Sequence, residues 1–266
     1  MQTYTGIDDL QISLDGHVLS VTLNRPDSLN SLTTAMLVTL TESLEQAAED
    51  PQVKVVRLGG AGRGFCSGAG ISAEEQAARA ASPSIDDLLV AANGATQAIV
   101  ALPKPVVAVV HGPAAGVGVS LALASDVVLA SENAFFMLAF TKIALMPDGG
   151  ATALVAAAVG RIRAMRMALL AERIPATEAL EYGLVSAVYP PDDLEAAVAG
   201  VIETLASGPA VAMGRTKQAI NAATLTELDA AIGRETEGQS VLLNSPDFRE
   251  GTRAFQQRRK ASFTDE

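Results

Sequence analysis

The sequence predicts a mixed α/β fold of strand–turn–helix units, followed by a segment that contains only helices. A short apolar strand, a glycine-rich turn and a helical pattern follow one another three times, without a strict sequence period. The strands that begin these units are residues 53–56, 106–110 and 127–129. The later helices are predicted at residues 209–221, 225–237 and 246–257. We therefore divide the chain into a core of residues 1–195 and a helical segment of residues 196–266.

A hairpin and a long helix precede the first unit. Apolar residues alternate with polar ones in residues 18–23, and Asp15-Gly16 before them suits a tight turn after residues 12–14. Apolar side chains then recur at helical spacing until Asp50-Pro51, which predicts a helix over residues 33–49.

The remaining core elements follow the same logic. Helices are predicted at residues 118–125 and 151–159, with an extended stretch at 134–140, and a polar, alanine-rich helical stretch is expected after residue 70. Residues 105–125 carry no charged side chain and are long enough to cross a bilayer. Their glycines and proline favour a strand, a turn and a helix, so we interpret them as buried core.

Composition excludes several classes of function. The chain has 266 residues and a net charge of −11, which disfavours a nucleic-acid partner because phosphate binding requires a basic face. One cysteine and two histidines exclude an internal disulfide framework and most metal sites, so no metal is predicted. The acidic start lacks the pattern of a signal peptide, and we expect a cytoplasmic protein with no membrane partner.

The glycine-rich turns at residues 59–70 and 111–117 are candidates for binding a ligand through backbone N–H groups. Glycines let the backbone turn sharply, and their N–H groups can face a ligand without obstruction by a Cβ atom. Two such turns side by side, each near a helix N-terminus, could hold one oxyanion between two N–H donors. No Gly-Lys-Ser/Thr sequence ends either turn, which excludes a P-loop, and Ser67 stands where a dinucleotide fingerprint needs its third glycine. The alternative is that these glycines only permit tight packing.

Motifs along nearly the whole chain resemble those of the enoyl-CoA hydratase/isomerase (crotonase) superfamily, in the same order. The matching stretches are residues 23–30, 62–71, 103–127, 147–150, 179–185, 245–251 and 255–263. This resemblance implies a crotonase-type spiral of ββα units with a C-terminal helical segment that forms a homotrimer or a dimer of trimers. It also implies an acyl-CoA thioester as ligand, with coenzyme A as part of the substrate and no separate cofactor.

The resemblance also assigns roles to individual positions. The family's oxyanion hole falls on the backbone N–H groups of Ala69 and Val117, in the two turns described above. The two glutamates that activate water in the family's hydratases correspond to Ser120 and Phe140, neither of which can act as a carboxylate base. Asp148 stands where several isomerase-like members carry the carboxylate that moves a proton.

The expected function is therefore double-bond isomerisation of an enoyl-CoA through a thioester enolate, with Asp148 as the base. One alternative is an enoyl-CoA hydratase that works through unusual residues, and another is an acyl-CoA-binding protein without turnover. Asp148 also has an alternative interpretation, because an aspartate in a turn before a helix is an ordinary N-cap.

Further positions are expected to contact the substrate. They are Arg25, Ser28, Leu29, Ser67, Gly68, Gly70, Ile71, Gly116, Ser120, Phe140, Arg258 and Lys260. Arginine and lysine suit the phosphates of coenzyme A, although each of these cations could equally be a solvated surface charge. Cys66 has no histidine in its motif, and we interpret it as a small residue of the first loop and not as a nucleophile.

Overall fold

The computed structural model describes residues 3–72, 74–75, 77 and 87–264. Its strands are β1 (Leu10–Asp15), β2 (Val18–Leu23), β3 (Val55–Gly60), β4 (Val106–Val110), β5 (Pro113–Ala115), β6 (Val127–Ser131), β7 (Phe135–Met137), β8 (Ile174–Pro175) and β9 (Ala187–Tyr189). Its helices are α1 (Thr34–Glu49), α2 (Asp87–Ala101), α3 (Val117–Ala124), α4 (Ala151–Leu170), α5 (Ala176–Tyr182), α6 (Leu194–Ser207), α7 (Ala210–Thr224), α8 (Leu228–Leu242) and α9 (Pro246–Gln256). The predicted α/β class is confirmed. The alanine-rich helical stretch expected after residue 70 lies largely outside the described residues.

The strands form two sheets. Six of them lie in the order β1-β2-β3-β4-β6-β9, antiparallel between β1 and β2 and parallel from β2 onward. The other three lie in the order β5-β7-β8. The units that begin with β4 and β6 each add one strand to the large sheet and one, β5 or β7, to the small sheet before their helix. All five residues of β4 are buried, as expected for a central parallel strand with both faces covered.

The N-terminal hairpin and first helix form as predicted. Asp15 pairs with Val18, which leaves Gly16 at a φ of +56° in the turn. The helix begins after Thr33, whose hydroxyl oxygen accepts a hydrogen bond from the Met36 N–H at 3.2 Å. This N-cap satisfies one of the amides that a helix start leaves unpaired.

The uncharged residues 105–125 form β4, β5 and α3, which confirms that they belong to the core. Among the described residues, no single helix is long and apolar enough to span a membrane. Helices α6 and α7 are long and apolar enough to span a membrane only when they are taken together, and they are bent by 106° relative to each other.

The C-terminal helices pack directly against the core. The Lys217 ammonium on α7 donates to the Asp126 carboxylate and to the carbonyl of Ile99, each at 2.8 Å. Asp126 also accepts from the Val106 N–H at 2.7 Å, so one ion pair joins α7 to the start of β4. Helix α8 packs on α2 and α4, and this contact brings its side chains to the site described next.

The element bounds differ from the prediction mainly in helix length. The helix predicted at residues 151–159 is followed by a second helical stretch that ends at Leu170. The two stretches meet in a kink at Gly160, which has a φ of +77°. Helix α6 was not predicted as a separate element.

Candidate active site

The two glycine-rich loops lie side by side because a parallel bridge joins them. Cys66 pairs with Ala114, with the Ala115 N–H donating to the Cys66 carbonyl at 2.8 Å. Parallel pairing keeps residues at equal distances from the bridge opposite each other. Two residues on, a Cβ atom at Gly68 would lie 3.4 Å from the Gly116 Cα, so the loops stay in contact. Ala69 and Val117 each lie three residues beyond the bridge, so they are expected to lie opposite each other on the two loops.

The N–H groups of Ala69 and Val117 donate no hydrogen bond to another described residue. Next to Ala69, Leu32 donates to the Gly68 carbonyl at 2.8 Å and accepts from the Gly70 N–H at 3.4 Å, so the Ala69 N–H faces away from Leu32. Val117 is the first residue of α3, where an N–H has no partner within the helix. Gly116 before it has a φ of +54° and a ψ of −129°, which favours glycine. Two N–H donors without a partner among the described residues, beside a helix N-terminus, suit an anionic oxygen.

Both residues line one cavity of about 460 Å³. Most of its wall is apolar, and Phe140 lies next to the loops, with its ring 3.7 Å from where a Cβ atom of Gly116 would be. The C-terminal helices contribute Gln239, Leu243, Phe248 and Phe255 to this wall. The cavity is therefore built by residues on both sides of the predicted boundary at residue 195.

Asp148 lies in the turn before α4, and its side chain reaches the cavity although the residue is only 8% exposed. Its Oδ2 atom accepts a hydrogen bond from the Gln239 Nε2 at 2.6 Å. Its backbone carbonyl accepts from the Ser120 hydroxyl at 3.0 Å. Ser120 is fully buried on α3, so it supports the turn that carries the carboxylate.

The N-cap interpretation of Asp148 is wrong. Helix α4 begins after Gly150, and the amides at its start donate to a different carboxylate. Glu235 on α8 accepts from the Gly150 N–H at 2.7 Å and from the Thr152 N–H at 2.8 Å. Burial raises the pKa of the Glu235 carboxyl above its ordinary value. Glu235 therefore caps the helix, and Asp148 lines the cavity.

The structure separates the predicted substrate-binding residues into two groups. Those that line the cavity are Leu29, Ser67, Gly68, Ile71, Gly116 and Phe140, with the predicted catalytic residues Ala69, Val117 and Asp148. Those that are not among its described lining residues are Arg25, Ser28, Gly70, Ser120, Arg258 and Lys260.

Arg25 and the two C-terminal cations have different surroundings. The Arg25 guanidinium pairs with the Glu75 carboxylate at 2.9 Å and donates to the Ser31 hydroxyl at 2.7 Å. This network ties the first motif to the segment after the oxyanion loop. Arg258 and Lys260 lie exposed beyond the end of α9.

Four polar residues of the site were missed by the sequence analysis. Glu235 and Gln239 act on the Asp148 turn from α8, and Lys142 and Arg173 are cations in the cavity wall. The sequence does contain a signal for Glu235 and Gln239. Positions 228, 232, 235 and 239 have the spacing of one helix face, and that face is buried, so two polar residues on it require partners inside the protein.

Cys66, the one cysteine of the chain, is fully buried behind the first loop, where its Sγ accepts from the Gly68 N–H at 3.4 Å. Burial raises the pKa of the thiol to about 12. We expect iodoacetamide at about pH 8 to leave the native protein unlabelled and to label it fully in urea, because the thiolate is the reactive form. Mass spectrometry distinguishes the two states, and stoichiometric labelling of native protein would contradict the prediction.

The raised pKa of Cys66 also makes the stability of the fold depend on pH. Because the pKa of Cys66 is higher in the folded than in the unfolded chain, folding favours the protonated thiol. The contribution of the protonated thiol to folding stability is fully present below the ordinary thiol pKa of 9.0, and it is lost as the pH rises toward 12. Replacement of Cys66 by serine or alanine removes this dependence.

Comparisons with known proteins identify the family of the chain. A family model described as enoyl-CoA hydratase/isomerase matches residues 14–266. The chain is 37% identical to a 1,2-epoxyphenylacetyl-CoA isomerase of Escherichia coli (strain K12), over 93% of this chain and 95% of that protein. It is 40% identical to a probable enoyl-CoA hydratase of Rhodobacter capsulatus, over 92% of this chain and 93% of that protein.

Solved structures of enoyl-CoA hydratases and hydratase/isomerases are similar to this chain over nearly its whole length. The crystal structure of an enoyl-CoA hydratase from Mycobacterium avium subsp. paratuberculosis K-10 has a TM-score of 0.91 and 65% identity, and covers 98% of this chain and 100% of that chain. An enoyl-CoA hydratase/isomerase from Pseudoalteromonas atlantica T6c has a TM-score of 0.84 and 31% identity, with coverage of 96% and 100%. These likenesses confirm the crotonase-type fold predicted from the motifs. The chain belongs to the enoyl-CoA hydratase/isomerase family.

Proposed function

We propose that this protein isomerises the double bond of an enoyl-CoA, with the thioester oxygen bound by Ala69 and Val117 and the proton moved by Asp148. One observation carries the proposal: of the described residues that line the cavity, Asp148 alone bears a carboxylate. A single carboxylate beside an oxyanion site suits a reaction that removes and returns one proton.

The turn that carries Asp148 packs against the start of α3. A Cβ atom at Gly149 would lie 3.3 Å from the Ser120 Cβ and 3.5 Å from the Val117 Cγ1. The residue after the base is therefore in contact with one of the two residues whose N–H groups bind the oxyanion. Because Ala69, Val117 and Asp148 line the same cavity, we expect a thioester held by these N–H groups to present its α carbon to the carboxylate.

The chemistry balances without a further reactant. Asp148 takes a proton from C2 of a 3-enoyl-CoA, and the electron pair of that C–H bond delocalises onto the thioester oxygen to give a dienolate. The N–H groups of Ala69 and Val117 stabilise the negative oxygen. The protonated Asp148 then returns the proton to C4, which gives the conjugated 2-enoyl-CoA and restores the carboxylate. A general base of this kind typically contributes about 10²–10⁴-fold.

Hydration is the second candidate, and the names of two relatives favour it. The Rhodobacter capsulatus relative is called a probable enoyl-CoA hydratase, and the Mycobacterium avium structure is described as an enoyl-CoA hydratase. Addition of water needs groups that activate and deliver it. The hydratase glutamate positions carry Ser120, whose hydroxyl donates to the Asp148 carbonyl, and Phe140, which makes the wall apolar. For this reason we place isomerisation first.

One assay separates the candidates. The protein is incubated with a 3-enoyl-CoA and with a 2-enoyl-CoA, and the absorbance of the conjugated thioester is followed. We expect the signal to rise from the 3-enoyl substrate. A fall with the 2-enoyl substrate alone would identify a hydratase, and no change with either, together with measurable binding of the thioester, would identify a binding protein.

Other expectations from the sequence also stay predictions. Among them are the homotrimer or dimer of trimers, the cytoplasmic location, the contacts of the predicted binding residues with the substrate, including those of Arg258 and Lys260 with coenzyme A phosphates, and the absence of a separate cofactor.

A further inference from the structure

Gln239 makes three hydrogen bonds in the Asp148 turn. The residue is fully buried on α8. Its Nε2 atom donates to the Asp148 Oδ2 at 2.6 Å and to the Met146 carbonyl at 3.0 Å. Its Oε1 atom accepts from the Met146 N–H at 3.3 Å. Both hydrogens of the amide nitrogen and one acceptor site of the oxygen are therefore used.

The backbone of Met146 determines which way the amide faces. Its N–H needs an acceptor and its carbonyl needs a donor, so one orientation of the Gln239 amide satisfies both and the flipped one satisfies neither. In the satisfied orientation, the group that reaches Asp148 is an N–H donor. A donor stabilises the ionised form of a carboxylate and holds its plane in place.

The same helix also holds the other end of the turn. Glu235 lies one turn before Gln239 on α8 and binds the N–H groups of Gly150 and Thr152. Helix α8 thus contacts the turn on both sides of Asp148, at residue 146 and at residues 150–152. The position of the carboxylate depends on side chains that come from the C-terminal helical segment.

We propose that Gln239 is a positioning residue for Asp148, which it holds oriented toward the bound acyl group. This inference rests on the proposed function, since it assigns Gln239 a role through the base of that reaction. Small displacements of a catalytic group are costly, with a shift of about 1 Å able to reduce the rate about 10²-fold.

The test is a Gln239→Met variant, which keeps the volume of the side chain and removes all three polar contacts. We expect kcat for 3-enoyl-CoA isomerisation to fall about 10- to 100-fold, because the base is misplaced. We expect KM to change by less than about threefold, because the N–H groups of Ala69 and Val117 and the rest of the cavity wall are unchanged and methionine keeps the volume of Gln239. Gln239→Glu has the same shape but presents an acceptor toward Asp148 at neutral pH. We expect it to lose at least as much kcat.

Thr236→Val is the matched control. Thr236 lies on the same helix and accepts from the Asn93 Nδ2 at 3.0 Å, and its hydroxyl donates to the Ile232 carbonyl at 2.8 Å within the helix and not to the Asp148 turn. We expect a drop in melting temperature similar to that of Gln239→Met, with kcat unchanged. If Thr236→Val lowers kcat as much as Gln239→Met, Gln239 only stabilises the fold and the inference is overturned.

A double variant distinguishes this inference from the proposed function. If Gln239 acts through Asp148, Gln239→Met should not slow an Asp148→Asn enzyme further, because residues that act as a unit are not additive. A further loss in that background would overturn the inference. If Asp148→Asn is inactive while Gln239→Met and Gln239→Glu keep the parent kcat, the inference fails and the proposed function stands. If Asp148→Asn keeps the parent rate, the proposed function itself fails.

Discussion

The Asp148→Asn variant is expected to isomerise a 3-enoyl-CoA about 10²–10⁴-fold more slowly than the parent protein, as measured by kcat. Asparagine has nearly the same shape and can accept the hydrogen bond that Gln239 donates at 2.6 Å, so the turn should keep its conformation. The amide oxygen is too weak a base to take a proton from C2 of the substrate. The effect should therefore fall on the chemical step.

The controls for this variant measure binding and surface charge separately. Calorimetric titration with a non-reactive acyl-CoA should give a Kd within about threefold of the parent, because the oxyanion donors are unchanged. Asp193→Asn removes one exposed carboxylate that makes no capping hydrogen bond, and it should leave the rate unchanged. An Asp148→Asn protein that isomerises at the parent rate would contradict the assignment of the base.

The Val117→Pro variant is expected to lose about 10²–10³-fold in kcat, since it removes one of the two N–H donors that we propose for the oxyanion hole. Proline is well accommodated at the first position of a helix, where its missing N–H breaks no helical hydrogen bond. Gly116 before it lies outside the α region that a following proline disfavours. The substitution should therefore remove the donor with little change in the backbone.

Val117→Ala tests whether the backbone or the side chain is responsible. It keeps the N–H and shortens a buried side chain, so we expect the parent kcat within about threefold and a stability loss of about 1–3 kcal/mol. Thermal unfolding and the isomerase assay measure the two effects. If Val117→Ala loses as much kcat as Val117→Pro, the side chain and not the N–H would explain the effect.

Local patterns were sufficient for much of the fold. The hairpin around Gly16, helix α1 with its cap at Thr33 and the central strand β4 all follow from alternation, helical spacing and turn residues within a few positions of each other. The merging of two helical stretches across Gly160 was not predictable in this way. A glycine at positive φ usually ends a helix, and packing against neighbouring elements decides whether the chain resumes helical geometry beyond it.

The sequence by itself predicted the chemistry of the site. The resemblance of its motifs to those of the enoyl-CoA hydratase/isomerase family implied the backbone N–H donors of Ala69 and Val117. Because Ser120 and Phe140 stand at the hydratase glutamate positions, Asp148 was left as the expected base. These conclusions depend on residue type at given positions in motifs, and a motif is local.

Only the tertiary structure showed that Asp148 does not cap the helix that follows it. On sequence alone, an aspartate before a helix serves equally well as a cap or as a base. Glu235, 85 residues from Gly150, takes the capping role, and Gln239, 91 residues from Asp148, holds the carboxylate at the cavity wall. Hydrogen bonds over such separations depend on how α8 packs against α2 and α4, and no local pattern encodes that packing.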